Sequence, residues 1–120
     1  MRLGSMLATV AIASSLGLAA TPAHSGNDTL CPGTTKACIY INRSFQGLIA
    51  RKTKGQPTTN TSAPEQMSSW ENPTIQNGAW FDAADGRGDC YNMHQRTEVR
   101  YVGDAYNDDM ISWRMNGGCS

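Results

Sequence analysis

Few side chains in this chain could carry acid–base or nucleophilic chemistry. Its two histidines are His24 and His94, and His24 lies in an N-terminal segment that we expect to be removed. One histidine does not complete a usual zinc site, and no Gly-x-Ser-x-Gly elbow is present for a serine nucleophile. Asp82, Asp85 and Asp89 could supply paired carboxylates for glycoside hydrolysis, but we interpret them as turn formers because so short a chain leaves little room for a sugar groove. The residue types therefore predict a protein that is not an enzyme.

The four cysteines have two competing uses, disulfides and a zinc site. Their spacing lacks the paired short knuckles of structural zinc sites, and an even number of cysteines in a short exported chain favours disulfides. Cys31 and Cys38 are close enough for a local ring, which leaves Cys90 with Cys119. The other two connectivities stay open at this point.

The first 25 residues are typical of a secretory signal peptide. Arg2 precedes an apolar run over 6–20, and small residues stand before a cut near Gly26. The run is shorter than the roughly 20 residues that cross a bilayer, so we expect secretion without a membrane anchor. Residues 26–120 then form one domain with 9 basic and 10 acidic side chains. This balance gives no bulk attraction to nucleic acid.

The remaining chain reads as short strands separated by turn signals, with no helical stripe of useful length. Residues 51–64 are polar and rich in threonine, which predicts a long exposed loop. Its basic residues Arg51, Lys52 and Lys54 could contact an acidic partner, although a solvated loop explains them as well. The strand candidates are residues 37–42, 48–50, 67–71, 78–83, 89–93, 98–102 and 110–115. The predicted fold class is all-β, a sandwich or barrel.

Two passages of the sequence are repeated. Met67-Ser68-Ser69-Trp70 returns 43 residues later as Met110-Ile111-Ser112-Trp113. An aromatic and glycine-rich segment, 40–47, returns 41 residues later as 81–88. Two landmarks with nearly one period indicate two copies of one supersecondary unit.

The first aromatic segment resembles the hairpin signature of βγ-crystallin Greek keys. Tyr40, Phe45 and Gly47 have the form aromatic-x-x-x-x-aromatic-x-Gly, and the second copy keeps Phe81 but has Gly86 in place of the inner aromatic. The resemblance implies two Greek-key motifs, at about 36–76 and about 77–120, that form a βγ-crystallin-like sandwich with two disulfides.

The passages before the repeated tryptophans resemble the βγ-crystallin calcium motif, Asn/Asp-Asn/Asp-x-x-Ser/Thr-Ser. The second copy has Asn107 and Asp108 but Ile111 where a hydroxyl belongs, whereas the first keeps Ser68 and begins with Pro64 instead of an acid or amide. Calcium takes about six to eight oxygens. We therefore name Asn107, Asp108 and Ser68 as calcium candidates and expect no cofactor.

The order of motifs also resembles the family of secreted inhibitors typified by Streptomyces metalloproteinase inhibitor. The matching blocks are Cys38, 40–47, 68–72, 80–90 and 107–119. The resemblance implies a monomeric inhibitor of an extracellular protease that presents the Cys90–Tyr91 bond like a substrate. These two residues could instead be ordinary strand residues of the core. The alternative function is a βγ-crystallin-like binding module or an antimicrobial, killer-toxin-like protein.

Overall fold

The computed structural model describes residues 31–120, so the predicted signal peptide at 1–25 lies outside the described residues. Within this range no helix has the length and apolar character needed to cross a membrane. Residues 31–120 form eight strands: β1 (Lys36–Asn42), β2 (Gln46–Thr53), β3 (Thr59–Asn60), β4 (Ser69–Asn72), β5 (Gly78–Phe81), β6 (Cys90–Met93), β7 (Thr97–Val99) and β8 (Ser112–Arg114). The all-β prediction is confirmed.

The strands form two antiparallel sheets that exchange one strand each. Sheet one has the order β2-β1-β4-β7 and sheet two has the order β3-β8-β5-β6. Sheet one therefore combines three strands from the first half of the domain with β7 from the second half. Sheet two combines three strands from the second half with β3 from the first. Because each half completes the sheet of the other, the two halves are interlocked.

The main core contains the three tryptophans and most of the methionines. Strand β1 contributes residues both to this core and to a second, smaller cluster on the other face of sheet one. Ala37 and Ile39 point into the main core, whereas Cys38 and Tyr40 point to the outer face of sheet one and pack with Phe45. This alternation is the two-residue period of a strand. The buried members of the main core are Ala37, Ile39, Met67, Trp70, Trp80, Met93, Met110, Trp113 and Met115.

Both disulfides that local spacing suggested are present. Cys31 is bonded to Cys38 with a Cα–Cα distance of 5.9 Å, and Cys90 is bonded to Cys119 with a Cα–Cα distance of 5.8 Å. The first disulfide belongs to the outer cluster of sheet one. The second joins the start of β6 to the last residues of the chain.

The long loop predicted over 51–64 is exposed at most positions, but strands and a buried lysine interrupt it. The chain continues β2 to Thr53 and forms β3 at Thr59–Asn60. Lys52 is 8% exposed, and its Nζ donates to Thr59 Oγ1 at 2.6 Å. Burial lowers the pKa of Lys52. Its Nζ lies 5.1 Å from the centroid of the Trp113 ring, so this lysine is a packing residue and does not contribute to the basic patch that was the alternative interpretation of these residues.

Candidate functional site

The two folded hairpins, residues 40–47 and 81–88, have the same backbone. Each contains a short 3-10 turn, Arg43–Phe45 in the first and Ala84–Gly86 in the second. Positive φ angles recur in matching positions, namely 57°, 63° and 76° at Ser44, Phe45 and Gly47, and 60°, 74° and 76° at Asp85, Gly86 and Gly88. A side chain in this region costs roughly 1–2 kcal/mol. The first hairpin therefore tolerates strain at Phe45, which the second avoids with a glycine.

A serine from the doubled Met-x-Ser-Trp passage closes each hairpin. Ser69 Oγ accepts a hydrogen bond from the Phe45 N–H (3.1 Å) and donates to the Asn42 carbonyl oxygen (2.6 Å). Ser112 makes the matching bonds, accepting from the Gly86 N–H at 2.9 Å and donating to a carbonyl oxygen at 2.7 Å. Both serines are fully buried. The repeated passage thus satisfies buried backbone groups that would otherwise lack partners.

The segment before β6 is held by Asp82. Its Oδ1 accepts a hydrogen bond from the Asp89 N–H at 2.8 Å. A Cβ on Gly88 would lie 2.1 Å from that same oxygen, so only glycine fits beside this bond. Asp85 makes a separate pair of hydrogen bonds with the Asn60 side chain, at 2.9 Å and 3.2 Å. The hydrogen bonds of Asp82 and Asp85 support the interpretation of the aspartate cluster as turn formers.

The Cys90–Tyr91 bond lies at the start of β6, which is an edge strand of sheet two. Cys90 pairs with Phe81, and Tyr91 pairs with Trp80. Both residues of the bond are half-buried. The Tyr91 ring stacks on Trp80 with ring centroids 4.2 Å apart. The two residues are therefore strand residues, as the alternative interpretation held. They lie on an edge strand, and Tyr91 is partly buried against the main core.

A second tyrosine, from another part of the chain, lies beside Tyr91. Tyr106 packs edge-on against the Tyr91 ring with centroids 5.1 Å apart and is 43% exposed. Burial raises the pKa of Tyr91, and the nearby carboxylates of Asp82 and Asp89 raise it further. The surroundings of Tyr91 are thus aromatic and negatively charged. Tyr106 could not be linked to Tyr91 from the sequence, because it stands 15 residues away and just outside the motif that begins at Asn107.

The calcium candidates come together across the two halves of the domain. Ser68 Oγ donates a hydrogen bond to Asn107 Oδ1 at 2.5 Å. The Asp108 N–H donates to the Met67 carbonyl oxygen at 3.1 Å. In the matching bond, the Glu65 N–H donates to the Met110 carbonyl oxygen at 2.8 Å. The half-sites of the two copies are therefore arranged symmetrically.

The side-chain oxygens of this arrangement are fewer than calcium takes. Ser68 and Asn107 hydrogen-bond directly to each other, and Ile111 supplies no oxygen at the symmetric position. Residues 31–120 contain no group of three or more histidine, cysteine, aspartate or glutamate side chains placed to hold a metal. Calcium takes about six to eight oxygens, and these loops offer too few side-chain donors. We therefore propose no role for a metal ion at these loops.

The remaining ionisable features lie away from the Cys90–Tyr91 bond. His94 is exposed in the turn after β6. On the outer face of sheet one, the Tyr40 hydroxyl donates to Glu71 Oε1 at 2.6 Å. Burial, together with this bond, strongly raises the pKa of Tyr40. A shallow pocket of about 360 Å³ lies beside this pair, lined by Glu71, Asn72, Pro73, Arg96, Thr97 and Glu98.

Comparison with known proteins identifies the fold. No protein-family model matches the chain, and no curated protein matches it. A solved structure described under the evolution of the eye-lens βγ-crystallin domain fold has a TM-score of 0.58 and 16% identity, covering 69% of this chain and 86% of that one. A βγ-crystallin from an archaeon has a TM-score of 0.56 and 17% identity, covering 68% and 98%.

A βγ-crystallin domain from Clostridium beijerinckii is similar at a TM-score of 0.53 and 16% identity, covering 66% of this chain and 94% of that one. Identities this low carry the fold and not the activity. The chain has the fold of a βγ-crystallin domain.

Proposed function

We propose that this protein is a secreted peptidase inhibitor that binds an extracellular metalloprotease like a substrate, through the Cys90–Tyr91 bond. One observation carries the proposal. The bond begins an edge strand of a rigid sandwich, and its first residue is covalently tied to Cys119. No cofactor takes part in this mechanism.

The edge position suits a protease cleft. Proteins commonly capture an extended segment by adding it to a strand, and backbone hydrogen bonds supply much of the affinity. Strand β6 pairs with β5 on one side and ends the sheet on the other. Tyr91 follows the bond and offers a large side chain to a pocket that accepts apolar residues after the cleaved bond. Its stacking on Trp80 holds the ring in place, which reduces the entropy lost on association.

The covalent arrangement also explains how a cleaved inhibitor would remain bound. If a protease hydrolyses the bond, the Cys90 side stays attached through its disulfide to Cys119. The Tyr91 side stays in the sheet through its pairing with Trp80. Neither new end can diffuse away, so the intact and cleaved forms present nearly the same surface. Release of product is therefore slow.

A panel of proteases tests the proposal. The purified protein, cut before Gly26, is incubated with thermolysin, subtilisin and papain. We expect tight inhibition of thermolysin, with at least a tenfold higher inhibition constant for Tyr91→Ala. The matched control is Ile75→Ala, since Ile75 is 63% exposed in the turn that precedes β5. Full thermolysin activity at micromolar inhibitor would remove the proposal for this class of enzyme.

The second candidate is a βγ-crystallin-like binding module or an antimicrobial, killer-toxin-like protein. The fold similarity favours it, as do the matching hydrogen bonds that Asp108 N–H and Glu65 N–H donate to the Met67 and Met110 carbonyl oxygens. Thermal melts in excess calcium and in chelator separate the two candidates. A metal present at 100 times its dissociation constant adds about 2.7 kcal/mol, and coincident melts would argue against a calcium module. Inhibition of fungal growth would support the antimicrobial branch.

A further inference from the structure

The loop that resembles a calcium motif also positions a side chain at the candidate inhibitory bond. Tyr106 precedes Asn107, whose Oδ1 accepts the hydrogen bond from Ser68. The Asp108 N–H is anchored to the Met67 carbonyl oxygen at 3.1 Å. These two anchors fix the loop on the rigid first half of the domain. Tyr106 is therefore held against Tyr91 by contacts that are independent of β6.

The surface around these two tyrosines is acidic. The Asp89 N–H donates to Asp82 Oδ1 at 2.8 Å, and the Asp109 N–H donates to the Tyr106 carbonyl oxygen at 3.3 Å. All three carboxylates contribute to the raised pKa of Tyr91. The sequence shows the same bias at a larger scale, because residues 77–120 contain seven acidic and four basic side chains.

We propose that Tyr91 and Tyr106, with Asp82, Asp89 and Asp109 around them, form one docking surface for a protease whose cleft has an apolar centre and a basic rim. This surface is called the aromatic edge below. The inference rests on the proposed function and adds the chemistry of the partner. Exposed aromatic side chains supply contact area with few rotatable bonds. Charged rims act mainly on the rate of association and on its dependence on salt.

The competing occupants do not match this combination. A membrane surface is anionic, and a nucleic acid is a polyanion, so both would be repelled by three carboxylates. A second copy of this chain would place the same three carboxylates opposite each other if the contact were symmetric. A basic protein partner satisfies both the aromatic and the acidic parts of the surface.

Pentalysine and pentaglutamate peptides test the surface without any protease. We expect pentalysine to shift the backbone amide resonances of residues 89–91 and 106–109 in low salt, and to lose this effect in 0.5 M salt (about a twofold shorter screening length than at 0.1 M). Pentaglutamate should leave these resonances unchanged. Shifts spread evenly over the whole domain would overturn the proposal.

Two variants and a matched control locate the charges. Asp89→Asn and Asp109→Asn each remove one carboxylate, and each should weaken pentalysine binding by up to about fivefold, the range of exposed ion pairs. Asp85→Asn removes the same charge outside the aromatic edge, and asparagine tolerates its positive φ of 60°. Equal effects of all three variants would mean that only net charge matters, which would overturn the proposal.

The protease experiment uses Tyr106→Ala. If thermolysin is inhibited, this variant should raise the inhibition constant about tenfold, while Ile75→Ala leaves it unchanged. Inhibition that is insensitive to Tyr106→Ala would retain the proposed function and overturn the docking surface. Pentalysine binding at the aromatic edge without inhibition of any protease in the panel would retain the docking surface and overturn the proposed function.

Discussion

The hairpin at 40–47 closes over a buried phenylalanine, whereas the hairpin at 81–88 has a glycine at the same place. The backbone angles and the serine closures are nearly identical in the two copies. The surroundings differ. Phe45 is 1% exposed and contacts Tyr40 with ring centroids 5.7 Å apart, while Gly86 leaves the second hairpin without an inner side chain. The comparison indicates that the first hairpin depends on a buried aromatic contact that the second hairpin does without.

The largest expected difference between the copies comes from their inner residues. Phe45→Ala should lower the free energy of unfolding by about 3–5 kcal/mol, because it leaves a cavity in the outer cluster. Gly86→Ala should lower it by about 1–2 kcal/mol, because alanine is strained at a φ of 74°. Urea denaturation measures both values. Equal losses would contradict the contrast between a filled and an open hairpin.

The two disulfides should also differ in how much they stabilise the fold, because they close loops of different length. In the chain-entropy model, replacing Cys90 and Cys119 with alanine lowers the free energy of unfolding by about 3.6 kcal/mol. Replacing Cys31 and Cys38 lowers it by about 2.5 kcal/mol, since that disulfide spans 7 residues instead of 29. Thermal and urea unfolding check the order. A larger loss from the first pair would show that packing in the outer cluster outweighs loop closure.

The serines that close the two hairpins should contribute equally to stability, in contrast to the inner residues. Ser69→Ala and Ser112→Ala each leave a buried N–H and a carbonyl oxygen without their partner. Each should lower the free energy of unfolding by about 1–3 kcal/mol. The two values should agree within about 0.5 kcal/mol, near the limit of such comparisons. A clear inequality in urea denaturation would mean that the repeat is not energetically symmetric.

The buried tyrosine of the first half gives the smallest effect, and only at alkaline pH. The folded state raises the pKa of Tyr40 above its ordinary value of 10.0 through burial and the Glu71 bond. Above pH 10 the unfolded chain releases a proton that the folded chain keeps, so stability falls as pH rises, by up to about 1.4 kcal/mol per pH unit. Tyr40→Phe should remove most of this slope. Tyr91→Phe should change it less, because Tyr91 is only half-buried.

The sequence could predict those parts of the molecule that rest on local patterns. The repeated aromatic–glycine segment and the Met-x-Ser-Trp passage indicated two related units, and local cysteine spacing indicated both disulfides. It could not predict that β3 and β7 would exchange between sheets, since these strands are only two and three residues long. It also treated Lys52 as exposed, because burial of a lysine stem depends on the distant Trp113.

The same limit applies to the candidate site. Cys90 and Tyr91 were found through a family resemblance that covers contiguous motifs. Tyr106 was not found, because its contact with Tyr91 arises only when the loop is pinned by Ser68 and Met67 from the other half. Contacts across the two halves are set by the tertiary fold, and no local pattern in one chain encodes them.

The most direct measurement is titration of thermolysin with the purified protein, followed by mass spectrometry of the recovered complex before and after reduction. The account predicts stoichiometric inhibition and slow hydrolysis of one bond, Cys90–Tyr91, with the two fragments held together until the Cys90–Cys119 disulfide is reduced. No inhibition, or cleavage at another bond with loss of the fragments, would contradict it.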